Sequence, residues 1–366
     1  MIKKIIIIIT TIVLTLLLVV GGYALYITLQ YSRIEDNLSL EVKNNQSELE
    51  KKESYQILTY NIGFGAYNRD FSFFMDSGEM LNGSKTSGKY SRARSKDIVL
   101  ENTNGAISLI QEINPDFMFI QEIDTKSHRS RNVNQVDLFT NTFNDYANSY
   151  AINSHSAYLF YPLNNPIGTM NSGILTMSKY KIDSSTRYQF PLDNSWPTKF
   201  FDLDRCFQIS RISFNGKELV LINIHMSAYD EGGKIRALQM NLLNQVLKEE
   251  YEKGNYVIAG GDFNHDIADS KNLFATEQKI PNWVGTFPRE DLPKGYSVAS
   301  SNAYPTCRST DMPYTEGVNY SIVVDGFIIS DNIKINAVTN IAYGSEYESF
   351  KYSDHNPVLL DFSFLG

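Results

Sequence analysis

Two cysteines in 366 residues, Cys206 and Cys307, exclude a fold held together by a disulfide framework. One bridge between them in an oxidising compartment stays open, since spacing alone does not bring two thiols together. Basic residues are also in deficit: 33 Lys and Arg stand against 41 Asp and Glu, a formal net charge of −8. That balance excludes a protein living mainly on phosphate-backbone contacts, while leaving room for a local basic patch. The length allows one large domain or two ordinary ones, with enough apolar content for a sizeable core.

What is present begins with an apolar run from Ile5 to Leu29, preceded by Lys3 and Lys4. Its length matches that needed to cross a bilayer, and the lysines favour a cytoplasmic N-terminus with everything after Gln30 outside. A cleaved signal peptide, with Gly22-Tyr23-Ala24 as the processing site, is the rival and would give a secreted protein. The run continues past that site, so an uncleaved anchor over residues 1–30 is expected. No cysteine sits at its end, which argues against a lipid-modified N-terminus. Residues 31–53 are polar and are expected to form a stalk. The remaining domain, 54–366, is acidic in its own right, with 27 basic and 36 acidic residues after the first 52.

Within the domain, apolar runs repeatedly end in a polar side chain. Tyr55 to Ile62 is a strand with Asn61 at its exit, and Asp116 to Glu122 is a continuous apolar strand ending in a carboxylate. A carboxylate there requires a cation, a donor or water. Between them lie a Gly, Ser and aromatic segment, 63–95, too long for an ordinary connection, and a helix from Lys96 to Asn114, stopped by Pro115. Asn171 to Lys179 and Lys181 to Asp183 read as strands around a turn. Arg205 to Phe214 and Lys217 to His225 form a hairpin about Asn215-Gly216, with His225 at the exit of the second arm. The apolar face of Lys234 to Tyr251 predicts a helix leading to Tyr256–Gly261, after which Asp262 and Asn264 alternate off the strand end. Such a carboxylate and carboxamide pair suits a hard cation and a phosphate. Asp325 lies within the strand Ile322 to Ile329, and Asp354-His355 precedes the last strand. Alternating helices and strands predict a layered α/β domain.

Other charged residues are less committed. Lys126, His128, Arg129 and Arg131 make a basic cluster that reads as a solvated loop or a phosphate-binding rim. His265 and Asp266 read as a solvated loop, with substrate or a second cation as the alternative. His128 and His155 carry weaker claims.

Taken together, the strand-end residues resemble the endonuclease/exonuclease/phosphatase superfamily, in particular its deoxyribonuclease and neutral sphingomyelinase members. The resemblance rests on Leu58-Thr59-Tyr60-Asn61, Ile120-Gln121-Glu122, Ser172-Gly173-Ile174, Asn223-Ile224-His225, Gly261-Asp262-Phe263-Asn264, Val324-Asp325-Gly326-Phe327 and Ser353-Asp354-His355, and spans residue 54 to the C-terminus. Gly63 stands where abasic-site endonucleases carry an acidic residue, and they lack a histidine at the place of His225. Pro305-Thr306-Cys307-Arg308 only grazes the inositol phosphatase signature.

The resemblance implies a four-layer α/β/β/α sandwich with two central mixed sheets, preceded here by the transmembrane helix. It implies that Asn61, Glu122 and Asp354 hold Mg²⁺, with Mn²⁺ as an alternative. Asp325 orients His355, His225 and His355 donate to phosphate oxygens, and Asp262 and Asn264 position water and stabilise charge. The expected activity is hydrolysis of a phosphodiester by a membrane-anchored, outward-facing enzyme. Nucleic acid, a phospholipid headgroup and a small phosphoester remain open as substrates, as does a phosphomonoesterase, with a non-catalytic binding module as the outlying alternative. Arg92, Arg94, Arg129 and Arg131 are expected around the substrate phosphate, with the 63–95 segment setting specificity.

Overall fold

The computed structural model describes residues 1–43, 45, 47–196, 198–200, 204–228, 230–341 and 349–365. Residues 44 and 46 of the expected stalk therefore lie outside the described residues. Two mixed sheets face each other. The first runs, edge to edge, Ile333–Asn340, Val358–Phe364, Tyr55–Asn61, Phe117–Asp124, Asn171–Ser178 and Ala147–His155. The second runs Leu38–Ser39, Ser184–Gln189, Cys206–Phe214, Lys217–His225, Tyr256–Asp262, Asp325–Ser330 and Tyr296–Ala299.

The strands are apolar on both faces because both faces are covered. Ile57, Phe117, Phe119, Leu360 and Phe362 of the first sheet meet Ile212, Leu219, Leu221, Ile258 and Phe327 of the second. On the outer face of the first sheet, Leu58, Met118, Ile120 and Met177 pack under Ala106, Ile107 and Ile110 of α2 (Lys96–Ile113) and Phe139 of α3 (Gln135–Thr142). On the outer face of the second, Val220, Ile222, Val257 and Ala259 pack under Met240, Leu243 and Leu247 of α4 (Lys234–Glu252). This is the α/β/β/α order expected. Local signals hold too: the Ser95 side chain caps α2, Asn114 ends it in a left-handed conformation, and Asn215-Gly216 turns with both φ angles positive.

One helix, α1 (Ile2–Gln30), precedes the domain and is long and apolar enough to cross a membrane, its most apolar stretch wholly unburied. The residues after it correct the stalk expectation. Leu38 and Ser39 pair with Arg187 and Thr186 at the edge of the second sheet, Lys43 bridges to Asn148, and Leu49 is buried between the sheets. Polar composition concealed this because the pairing is mostly through backbone, which any side chain permits. The expected strand at Lys181–Asp183 is likewise displaced, to Ser184–Gln189.

Both sheets point their functional strand ends the same way. Tyr55–Asn61 and Phe117–Asp124 are parallel, as are Lys217–His225 and Tyr256–Asp262, where His225 pairs with Asp262. Buried polar bonds lock the sheets together just below these ends: Gln121 Nε2 donates to Asn223 Oδ1 at 2.8 Å and Asn223 Nδ2 donates to Leu175 O at 3.1 Å.

Candidate active site

Asn61, Glu122, His225, Asp262, Asp325 and His355 converge at one edge of the two sheets, with Asp354 beside Glu122, whereas the Asn264 side chain turns to the backbone. Asn61 is buried and its Nδ2 donates to Glu122 Oε1 at 3.3 Å and to Asp262 Oδ2 at 3.1 Å, while its Oδ1 accepts from Gly63 N at 3.0 Å. Glu122 sits in a β-bulge between Ile120 and Ile123, with φ of 50°. The bulge turns its carboxylate out of the sheet and into the cleft, the usual use of such an irregularity. A left-handed glutamate carries strain, which the surrounding pairing must overcome.

Asp325 and His355 form the tightest pair: His355 Nδ1 lies 2.8 Å from Asp325 Oδ2, and both are buried. Burial opposes charge on His355, but Asp325, Cys307 and Asp262 outweigh it and hold the ring well above the ordinary histidine range. His225 behaves oppositely. Burial first, then the positive charges of Arg205, His355 and Arg129, push it well below that range. Its approach to Asp262, Nε2 to Oδ2 at 3.5 Å, is therefore not an ion pair. Asn153 Nδ2 faces His225 Nδ1 at 3.4 Å, so Nδ1 accepts and Nε2 carries the proton toward the cleft. Asp262 lies between the two imidazoles, 3.7 Å from His355 Nε2. Burial raises its affinity for a proton, as a base requires.

The cation implied by the resemblance has a matching donor set. Glu122 and Asp354 bring two carboxylates to one side of the cleft; Asp354 is pushed up to about 6 by burial, with the Glu122 charge adding to the rise. A buried carboxylate whose proton affinity is raised in this way gains from a nearby cation, and oxygen donors of this kind suit Mg²⁺ or Mn²⁺. Asn61 faces Glu122 through Nδ2, and its Oδ1, which accepts from Gly63 N, keeps a second lone pair. Asp262, Asp325 and His355 also bring ligand atoms within 4.8 Å of one another. That triplet is better explained as the Asp325–His355 ion pair beside a third carboxylate, because a protonated imidazole ligates no metal.

Asn264, with φ of 50°, donates from Nδ2 to Met226 O at 2.9 Å, and its backbone N–H donates to Asp262 Oδ1 at 2.9 Å. The predicted phosphate-binding arginines divide. Arg94 is exposed beside Asp70, and Arg92 is tied to Asn165 Oδ1 at 2.6 Å. Arg129 is no rim residue: it is buried, grips Asp124 through two bonds of 3.1 and 2.9 Å, and lies 3.8 Å from Glu122 Oε2. Arg131 donates to Ala93 O and Arg94 O, closing the loop on itself. His265 and Asp266 are buried rather than solvated. Asp266 accepts from Ser270 and Lys271 and builds the turn they lie in.

Sequence reasoning passed over Asn153 and assigned no role to Gln121, Asn223 and Arg308. Arg308 is buried and donates to Tyr67 O, Asn68 O and Phe71 O, clamping the 63–95 segment beside the cleft. Asn153 lies inside Ala147–His155 rather than at its exit, so it lacked the strand-end signal that marked Asn61.

The family profile for Endonuclease/Exonuclease/phosphatase matches residues 58–311, and the chain belongs to that family. Among solved structures, the fold is similar to an endonuclease/exonuclease/phosphatase from Beutenbergia cavernae DSM 12333, with TM-score 0.54 and 12% identity over 86% of this chain and 72% of that one. It is similar also to D. rerio TDP2 complexed with single strand DNA product, with TM-score 0.52 and 15% identity over 85% and 99%. The human Nocturnin catalytic domain with bound sulfate gives TM-score 0.51 and 14% identity over 89% and 97%. At such identities the likeness speaks for the fold alone. Curated protein sequences give no match.

Proposed function

We propose that the chain is a Mg²⁺-dependent phosphodiesterase, anchored by α1 with its domain on the outer side of the membrane. The observation that carries the reading is the placement of Asp262 between a cationic His355 and a neutral His225, across from the carboxylates Glu122 and Asp354. A phosphodiester is protected from water by its own charge, so donors to its non-bridging oxygens and a positioned water are what a catalyst must supply. His355 donates from Nε2, its ring fixed by Asp325 as a dyad carboxylate fixes an imidazole. His225 donates its Nε2 proton without adding charge. Asp262 accepts the proton of the attacking water, and Asn264 supports it through the backbone N–H bond. Glu122 and Asp354, with Asn61, would hold the cation, which neutralises charge developing on the phosphate.

The full chain, purified in detergent, is expected to hydrolyse bis(4-nitrophenyl) phosphate with Mg²⁺ and not with EDTA. Glu122→Gln and His355→Ala should each lower turnover at least about a hundredfold while leaving the melting temperature near wild type. Near-normal turnover by either variant would remove that residue from the mechanism.

A further inference from the structure

Large apolar side chains are exposed in two connections that meet α1 and the chain leaving it. In the connection 156–170, Phe160 is 49% exposed, Tyr161 68% and Leu163 86%, and in the connection between Ser184–Gln189 and Cys206–Phe214 Trp196 is 73% exposed. Single exposed hydrophobes are ordinary, but a cluster of this kind marks a contact surface.

Its position relative to α1 says what it contacts. Counted from Lys4, a helix crosses the hydrocarbon in about 20 residues. Tyr23 and Tyr26 therefore fall at the far headgroup level, where tyrosine and tryptophan concentrate. Tyr23 packs on Phe160 with ring centroids 5.3 Å apart, Tyr26 Oη accepts from Tyr158 N at 3.2 Å, and Tyr31 packs on Phe200 at 5.3 Å. Arg33 is tied to Asp204 at 2.9 Å, so the chain leaving α1 is fastened to the domain rather than lifted from it.

The same surface borders the active site. His155 pairs with Asn171 and Asp124 with Ser172, so 156–170 leaves the sheet at the end that carries Glu122. Gln189 pairs with Cys206, and Phe207 with Ile224, which puts the connection holding Trp196 at the His225 end. Tyr161 lies against Phe74 of the 63–95 segment, ring centroids 5.7 Å apart.

We propose that Phe160, Tyr161, Leu163 and Trp196 seat in the bilayer interface beside α1 and hold the mouth of the site against the headgroup layer, so that the substrate is the phosphodiester of a phospholipid headgroup. The proposal rests on the phosphodiesterase reading above. Water attacks phosphorus, one ester P–O bond breaks, and the departing alcohol takes up a proton, leaving a phosphomonoester.

Two readouts on the full chain in phosphatidylcholine–sphingomyelin vesicles separate the parts. In a Trp196→Phe, Trp283→Phe background, a tryptophan introduced by Tyr161→Trp should be quenched by brominated lipid. One introduced by Ile335→Trp, at the opposite end of the first sheet, should not. In the activity readout, the triple change Phe160→Ser, Tyr161→Ser, Leu163→Ser should lower release of phosphocholine from vesicles at least about tenfold, because three large apolar contacts with the bilayer are lost. It should leave hydrolysis of bis(4-nitrophenyl) phosphate unchanged. Equal quenching at both positions, or vesicle hydrolysis indifferent to the triple change, would overturn the proposal. So would plasmid nicking by a chain that leaves vesicle lipid intact. If no phosphodiester is cleaved while position 161 is quenched, the phosphodiesterase reading fails and the membrane contact stands.

Discussion

Two histidines a few ångströms from the same aspartate hold opposite charge states, and the cause is which partner each ring faces. His355 faces the buried carboxylate of Asp325; His225 faces an amide and three positive neighbours. Asp325→Asn should therefore bring His355 back toward the neutral form and lower turnover by about a hundredfold or more, with the imidazole titration followed by NMR. Asp354 gives a second expectation. Its folded value, about 6, lies above the unfolded one, so its contribution to stability is complete below the ordinary carboxylate range and is lost as pH rises through about 6. In EDTA at pH 7.5, Asp354→Asn should raise the melting temperature, by an effect on the order of 2 kcal/mol. The same change should abolish the rise that Mg²⁺ gives the wild type. A lowered melting temperature in EDTA would show that Asp354 is already neutralised by the fold.

Elements explain why these residues were legible in sequence and others were not. Asn61, Glu122, His225 and Asp262 stood out because a polar side chain at the end of an apolar strand demands a partner, and the partner proved to be the next strand end; Asp325 stood out as a carboxylate inside an apolar strand, which the structure begins at that residue. The bulge that aims Glu122 left no such mark, because a positive φ on a glutamate is imposed by strand pairing, not by composition. Arg129 and Arg131 were misplaced because a basic cluster looks the same in sequence whether its guanidinium groups meet solvent or buried carboxylates and carbonyls. Residues 31–53 misled for the reason that backbone pairing is silent in side-chain pattern. Leu49, 7% exposed between the sheets, makes the difference measurable: Leu49→Ala should destabilise the chain by about 2–4 kcal/mol in denaturant unfolding. A stalk residue would show no change.

For the molecule as a whole, the parallel pairs in both sheets bring every strand end of the site to one edge, and the inter-sheet bonds of Gln121 and Asn223 keep those edges level. The acidic balance of the domain fits a site that takes a single phosphodiester through a few directed donors better than one that tracks a polyanion. The most direct test of hydrolysis at this site is the fate of oxygen in bis(4-nitrophenyl) phosphate turned over by the full chain in oxygen-18-labelled water with Mg²⁺. One labelled oxygen in the nitrophenyl phosphate, none in the nitrophenol, and loss of both products in Glu122→Gln are expected. Label in the nitrophenol, or undiminished turnover by the variant, would contradict attack on phosphorus by water at this site.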